Sequence, residues 1–263
     1  MPVADLNLLT DAAYEAGNIA RRYFKNAPDV TDKPGGAGPV TEADLAVNAM
    51  LEDELRRARP DYGWLSEETE DSTARLGTKR QFVIDPIDGT RAFIDGSKDW
   101  AHSLAVVEEG TVVAAAVYMP VRDLMFAAAL DEGAICNGAA MTVTDPLVAD
   151  ATILGAKVNL QPQFWKGGQV PPFKRTFRSS LAYRLCLVAQ GRFDGMMTFR
   201  PSWEWDIAAG ALIAAEAGAM ITDQHAHHLR FNNRHPQVPG VLVAGPQLHA
   251  DLAARLEPQT PKA

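Results

Sequence analysis

The sequence predicts a mixed α+β / α/β protein whose first half is built on antiparallel strands and whose second half alternates strands with helices. Three observations carry this reading. In "HSLAVVEEGTVVAAAVYMPVRDLMFAAALDEGAICNG", short apolar runs are separated by Glu-Glu-Gly, Pro-Val-Arg-Asp and Asp-Glu-Gly, the turn chemistry of a meander. Beyond about residue 150, strand-like runs ("ATILGAKV", "FDGMMTF", "GVLVAG") alternate with helical ones ("SLAYRLCLVAQG", "WDIAAGALIAAEAGAM", "QLHADLAARL"), the pattern of an α/β layer. The chain has 263 residues and is 47% hydrophobic, enough for one large domain or two tightly packed halves.

The elements ahead of the meander follow in order. Leu6 to about Phe24 carries apolar residues at helical spacing and predicts an amphipathic helix. "DKPGGAGPVTEAD" is a glycine- and proline-rich loop. Thr41 is the N-cap expected for a second helix from Glu42 to about Arg59. "GWLSEE" reads as a short strand that ends on acid, and Phe82-Val83-Ile84 as a buried strand that ends on Asp85 and Asp88. No repeats or low-complexity segments interrupt the pattern. The change of character near residue 150 marks a seam between two halves without a linker.

Charge and cysteine content narrow the function. The net charge of -8 disfavours tracking a nucleic-acid polymer, which needs a basic footprint, but not a small anionic substrate, since bound divalent cations invert the local field. The two cysteines, Cys136 and Cys186, form no CxxC pair and read as buried free thiols in a reducing compartment. The N-terminus lacks a basic-then-apolar signal design, and no apolar run approaches the roughly 18 residues needed to span a membrane. The expectation is a soluble cytoplasmic protein.

Four acidic points stand at element boundaries with apolar sequence beside them: Asp44 in "PVTEAD", Glu67 in "SEE", Asp85 and Asp88 in "DPIDGT", and Asp206 in "WEWDIAAG". Solvated surface acids sit among polar neighbours, as Asp61 and Glu70 do. Converging carboxylates repel one another unless a cation neutralises them, and hard oxygen ligands suit Mg²⁺, which also accepts phosphate oxygens. Other motifs fail. An EF-hand would need oxygen ligands where Ile87, Gly89 and Gly96 stand. A P-loop and a nucleophile elbow are both missing, and the aspartate pair of the haloacid-dehalogenase phosphatases is spaced differently.

These four motifs, in this order and at about this spacing, resemble the inositol monophosphatase superfamily of Mg²⁺-dependent phosphomonoesterases over nearly the whole chain. The resemblance implies an α-β-α-β-α layered sandwich acting as one compact unit. Residues 1–150 would supply most metal ligands and residues 151–263 would complete the site. It further implies two or three Mg²⁺ ions: one held by Glu67, Asp85 and the Ile87 carbonyl, a second by Asp85, Asp88 and Asp206, and a weaker third at Glu67. Thr90 and Asp44 match the pair that, with Glu67, activates the attacking water. Gly89 and Thr90 lie where backbone N–H groups would cradle the phosphate. Lys33 matches a loop lysine near the metals. A non-catalytic descendant acting as a metabolite sensor would have lost ligands, yet every matching carboxylate is intact.

For the substrate, "TFRPSWEWD" places Arg200 where inositol phosphatases carry an acid, which suits a second anionic group. Together with "DGTRAFI" and "VYMPVRDLMF", this segment is most similar to the CysQ-type 3'(2'),5'-bisphosphate nucleotidase branch, with inositol 1-phosphate and histidinol phosphate as alternatives. Ser180 is expected among the substrate contacts, although Ser179 departs from the family's glycine. Lys174, Arg175 and Arg178 read either as a 5'-phosphate contact or as a solvated basic turn. Trp203 and Trp205 read as packing rather than base stacking, and the His225–His228 run as a surface turn. The implied partner is a small phosphorylated molecule, and a homodimer is common among such enzymes.

Overall fold

The computed structural model of the protein describes residues 2–33 and 38–257. Residues 34–37 of the expected glycine- and proline-rich loop lie outside the described residues. The helices are α1 (Pro2–Tyr23), α2 (Glu42–Ala58), α3 (Thr90–Ile94), α4 (Leu181–Ala189), α5 (Glu204–Glu216) and α6 (Pro246–Arg255). The main strands of the first half are β3 (Gly63–Ser66), β4 (Arg80–Asp88), β5 (Ala101–Glu108), β6 (Thr111–Met119), β7 (Leu124–Ala129), β8 (Ala134–Cys136) and β9 (Ala139–Ala140), hydrogen-bonded in that order as one seven-stranded sheet. A short ribbon of β1 (Val30–Asp32) and β2 (Pro39–Thr41) precedes them.

The second half contributes β10 (Thr152–Gly155), β11 (Lys174–Thr176), β12 (Gly195–Thr198), β14 (Met220–Thr222) and β16 (Val241–Ala244), ordered β11-β10-β12-β16-β14. A second ribbon pairs β13 (Ser202–Trp203) with β15 (Gln237–Val238).

Side-chain alternation along the strands assigns the layers. Phe82 and Ile84 of β4, with Leu104 and Val106 of β5, join Leu9, Ala13, Val47 and Leu51 of α1 and α2 on one face. Val83, Ala105 and Val107 join α4 and α5 on the other. In the second sheet, Leu154, Met196 and Val243 also face α4 and α5. Ile153, Met197 and Leu242 face α6 and Trp165. The result is α1/α2, sheet, α4/α5, sheet, α6: the expected α-β-α-β-α sandwich. Because both faces of each sheet are covered, its strands read as continuous apolar runs. The middle helix layer is close-packed: a Cβ on Gly210 of α5 would stand 2.6 Å from Leu185 of α4.

Several details differ from the sequence expectation. The first-half sheet is not wholly a meander, because β3 lies parallel to β4, reached through the 3-10 turn Thr73–Gly77. Lys174 and Arg175 lie in edge strand β11, parallel to β10; two exposed basic residues and a half-buried threonine carry no apolar pattern from which to read a strand. Cys136 and Cys186 are free and buried. Among the described residues, no helix is long and apolar enough to cross a membrane.

Candidate active site

Strand β4 ends at an irregularity with a chemical consequence. Asp85 pairs with Ser103 of β5 and Asp88 with Ala101, so three steps on one strand oppose two on its partner. In regular pleating, residues three apart point to opposite faces; the extra residue of this bulge brings both aspartates to one side. Pro86 sits in the bulge, where no N–H is needed for the ladder. Gly89 then adopts φ 98°, left-handed backbone that a side chain would resist, and α3 begins at Thr90.

Helix starts complete the arrangement. Asp44 is the third residue of α2 and closes a capping box: its Oδ2 accepts from the Thr41 N–H (2.9 Å) and hydroxyl (2.6 Å). The Thr90 hydroxyl lies 3.2 Å from Asp44 Oδ1 and 3.1 Å from the Ile87 carbonyl, so its one proton serves either acceptor. Asp88 Oδ2 accepts from the Ser180 hydroxyl and the Ala182 N–H, both at 2.6 Å, at the start of α4. Asp206 lies in the first turn of α5. Each of these carboxylates therefore meets the positive end of a helix dipole.

Asp85, Asp88 and Asp206 each offer an oxygen, all within 4.8 Å of one another. Burial, reinforced by repulsion from neighbouring carboxylates, holds the Asp85 and Asp206 carboxyls well above the usual range. Asp88 is raised by burial and partly relieved by Ser180 and the α4 N–H groups. Asp85 Oδ1 is buried without a hydrogen-bond partner. A convergent all-oxygen donor set with an orphaned oxygen and excess negative charge fits a hard divalent cation.

Each of the other expected residues has its own partners. Glu67 follows β3, and its Oε1 accepts from Lys33 Nζ at 2.8 Å. Lys33 also bonds Glu68 at 2.6 Å. Glu68 itself is pushed up to about 7, first by burial and then by Glu67 against the relief from Lys33. Arg200 is exposed, yet its charge acts on Asp206. Ser180, expected to meet substrate, is buried, donates to Asp88 and caps α4 through the Tyr183 N–H. Trp203 and Trp205 stack on one another at 4.7 Å. The His225–His228 turn is organised by Asp223, which accepts from the His225 and His227 N–H groups.

Sequence reading missed four residues here. Arg184 is buried, donates to the Arg178 and Ser179 carbonyls, stacks on Phe177 at 4.4 Å, and its charge favours ionised Asp88 and Asp206. His102 Nδ1 contacts the Pro86 carbonyl inside the bulge. Ser103 and Glu204 tie down the start of α5. Arg184 alone left a signal, a lone cation in an apolar helix.

An acidic cluster at converging helix starts, within a five-layer α-β-α-β-α sandwich, defines a metal-dependent phosphatase. The chain belongs to the inositol monophosphatase family, whose family model matches residues 4–260. It is 32% identical over 232 residues to an inositol-1-monophosphatase of Rhizobium meliloti, covering 83% of this chain and 85% of that protein. It is 33% identical over 258 residues to the Nus factor SuhB of Escherichia coli, covering 91% and 90%. The solved IMPase of Thermotoga maritima superposes with a TM-score of 0.81 at 27% identity, covering 97% of this chain and 96% of that one. Enzymes of this family depend on Mg²⁺, and the Asp85, Asp88 and Asp206 cluster can hold such ions.

Proposed function

We propose that this phosphatase hydrolyses the phosphomonoester of a small metabolite carrying a second anionic group, a 3'(2'),5'-bisphosphate nucleotide such as 3'-phosphoadenosine 5'-phosphate. The observation that carries this reading is the pair of guanidiniums, Arg184 and Arg200, whose charges act on Asp206 and on each other. Of the two, exposed Arg200 is open to a substrate anion, which a second phosphate offers and a polyol does not. The name of the Rhizobium meliloti relative favours a second reading, inositol 1-phosphate.

Glu67, Asp85, the Ile87 carbonyl, Asp88 and Asp206 would hold two or three Mg²⁺ ions. When bound, these supply Lewis acidity that neutralises the phosphate and acidifies water. The residues do the rest. Asp44 accepts the Thr90 proton, which leaves Thr90 Oγ1 lone pairs to take a hydrogen bond from the attacking water and aim it. The Gly89 and Thr90 N–H groups would receive the phosphate. Lys33 neutralises Glu67 and Glu68 until ligand arrives. Ser180 holds Asp88 in place rather than touching substrate.

The test is phosphate release by purified protein with Mg²⁺, comparing 3'-phosphoadenosine 5'-phosphate, inositol 1-phosphate and histidinol phosphate. The expected result is the highest kcat/KM for the nucleotide, with Arg200→Ala raising KM for it about tenfold, the worth of one charged hydrogen bond. Equal or better turnover of inositol 1-phosphate would overturn the second-anion reading.

A further inference from the structure

Asp85 and Asp88 come from the first sheet, and Asp206 comes from the start of a helix in the next layer. Something must hold the two bodies in register, because metal ligands have to sit within about 0.2 Å of their proper distances. The N-cap position of α5 is Trp203, which makes no side-chain cap. The turn is held instead by contacts from its next two residues.

Glu204 is fully buried two positions before Asp206. Its carboxylate accepts from the Asn232 N–H at 2.7 Å, the Asn233 N–H at 2.9 Å and Asn233 Nδ2 at 2.7 Å. Its own N–H donates to the Pro236 carbonyl at 2.9 Å. The receiving loop is braced in turn. Arg75, also buried, donates from Nη1 to Asn232 Oδ1 at 2.6 Å and from Nη2 to the Asn233 carbonyl at 2.9 Å, while Asp71 accepts from Nε at 2.7 Å and from Nη2 at 2.9 Å. The next residue is tied to a different body: the Ser103 hydroxyl donates to the Trp205 carbonyl at 2.9 Å. Ser103 is the β5 residue paired directly across from Asp85. One strand position therefore carries a metal-side aspartate on one flank and a hydroxyl strut to the turn bearing Asp206 on the other.

We propose that Glu204 and Ser103 are positioning residues that set the place of Asp206 relative to Asp85 and Asp88, and so the affinity of the site for divalent cation. Neither side chain is a ligand. Glu204 fixes the turn from the loop side and Ser103 from the strand side. This rests on the reading of Asp206 as a metal ligand. Outer partners of metal ligands are worth about 10–100-fold in affinity.

The experiment titrates Mn²⁺ into the purified full-length protein without substrate, following free Mn²⁺ by electron paramagnetic resonance. The Mg²⁺ dependence of phosphate release is measured in parallel. Glu204→Gln and Ser103→Ala are each expected to weaken Mn²⁺ binding about tenfold and to raise half-activating Mg²⁺ equally, with substrate KM at saturating Mg²⁺ unchanged. Asp5→Asn, which breaks a buried ion network beside the opposite end of β4, is expected to lower the melting temperature while binding Mn²⁺ as wild type does. Wild-type Mn²⁺ affinity in both site variants, whatever their melting temperatures, would overturn the proposal. So would equal weakening in Asp5→Asn. Absence of Mn²⁺ binding by the wild-type protein would instead overturn the metal assignment beneath it. If Glu204→Gln does not fold, Ser103→Ala decides on the same criterion.

Discussion

Strand β4 begins and ends beside buried carboxylates, and the two ends differ in how those charges are met. At its start, fully buried Asp5 of α1 accepts from Arg59 Nε, the Tyr62 hydroxyl and Arg80 Nη1, each at 3.0 Å. At its end, Asp85, Asp88 and Asp206 face one another within 4.8 Å, with Asp85 Oδ1 unpartnered. Burial is common to both ends. What separates them is counter-charge: the first is a closed structural network, whereas the second keeps an excess of negative charge that Arg184 and Arg200 offset only in part and that suits a divalent cation. A buried acid is therefore no mark of function until its partners have been counted.

The comparison is broken most directly by Asp88→Asn. We expect it to lower phosphate release more than about a hundredfold, beyond the upper end for an outer partner. The melting temperature of the metal-free protein should hold or rise as repulsion is removed. Turnover retained in the purified variant would sink the assignment.

Metal itself sharpens the contrast next. Mg²⁺ at a hundred times its Kd should stabilise the wild type by about 2.7 kcal/mol, roughly 5–10 °C for a chain of this length. Chelator should reverse the rise and Asp88→Asn should abolish it, as scanning calorimetry would report.

Asp5→Asn should show the opposite profile, losing about 1–3 kcal/mol with kcat and KM unchanged. The figure is below that for a sealed ion pair because the Arg59 and Arg80 side chains are 31% and 20% exposed and can rehydrate. A large loss of turnover in this variant would erase the distinction between the two ends.

The smallest effect is a pH drift of the metal-free protein. Burial lifts Glu68 from 4.5 to about 7, so the folded state binds more protons than the unfolded one. The stability this group contributes is present below about 4.5 and lost as pH climbs through about 7. Asp85 and Asp206, also raised, act in the same direction. Buried His102 and His249, both held below the usual imidazole range, act in the opposite direction up to about pH 6.5; above that pH, melting temperature in chelator should fall as pH climbs, and saturating Mg²⁺ should lessen the fall. A flat profile in chelator would contradict the repulsion described here.

Much of this was legible in one dimension. Thr41 announces the start of α2 because capping is a local contact, and the structure adds Asp44 as the other half of a full capping box. "DPIDGT" signals a carboxylate pair at a strand end, and "WEWDIAAG" an acid at a helix start. Other features left no trace. Nothing in "SEE" tells that Lys33 would grip both glutamates, a contact closed across 34 residues. The parallel pairing of β3 with β4 arises from an unpatterned crossing turn. Ser180 reads as a substrate contact in sequence, and only the tertiary placement of the α4 start beside the end of β4 turns its hydroxyl toward Asp88.

Periodicity, capping and turn chemistry depend on neighbours in the chain, so the sequence by itself determined the five longer helices, the principal strands and the acids at their boundaries. Tertiary structure alone decided which acids meet. Asp206 lies 118 positions beyond Asp88, and no local rule brings them together. The β4 bulge, the Ser103 strut and the buried Glu204 do so, because packing two layers across a shared helix turns separate strand ends and helix starts into one charged site.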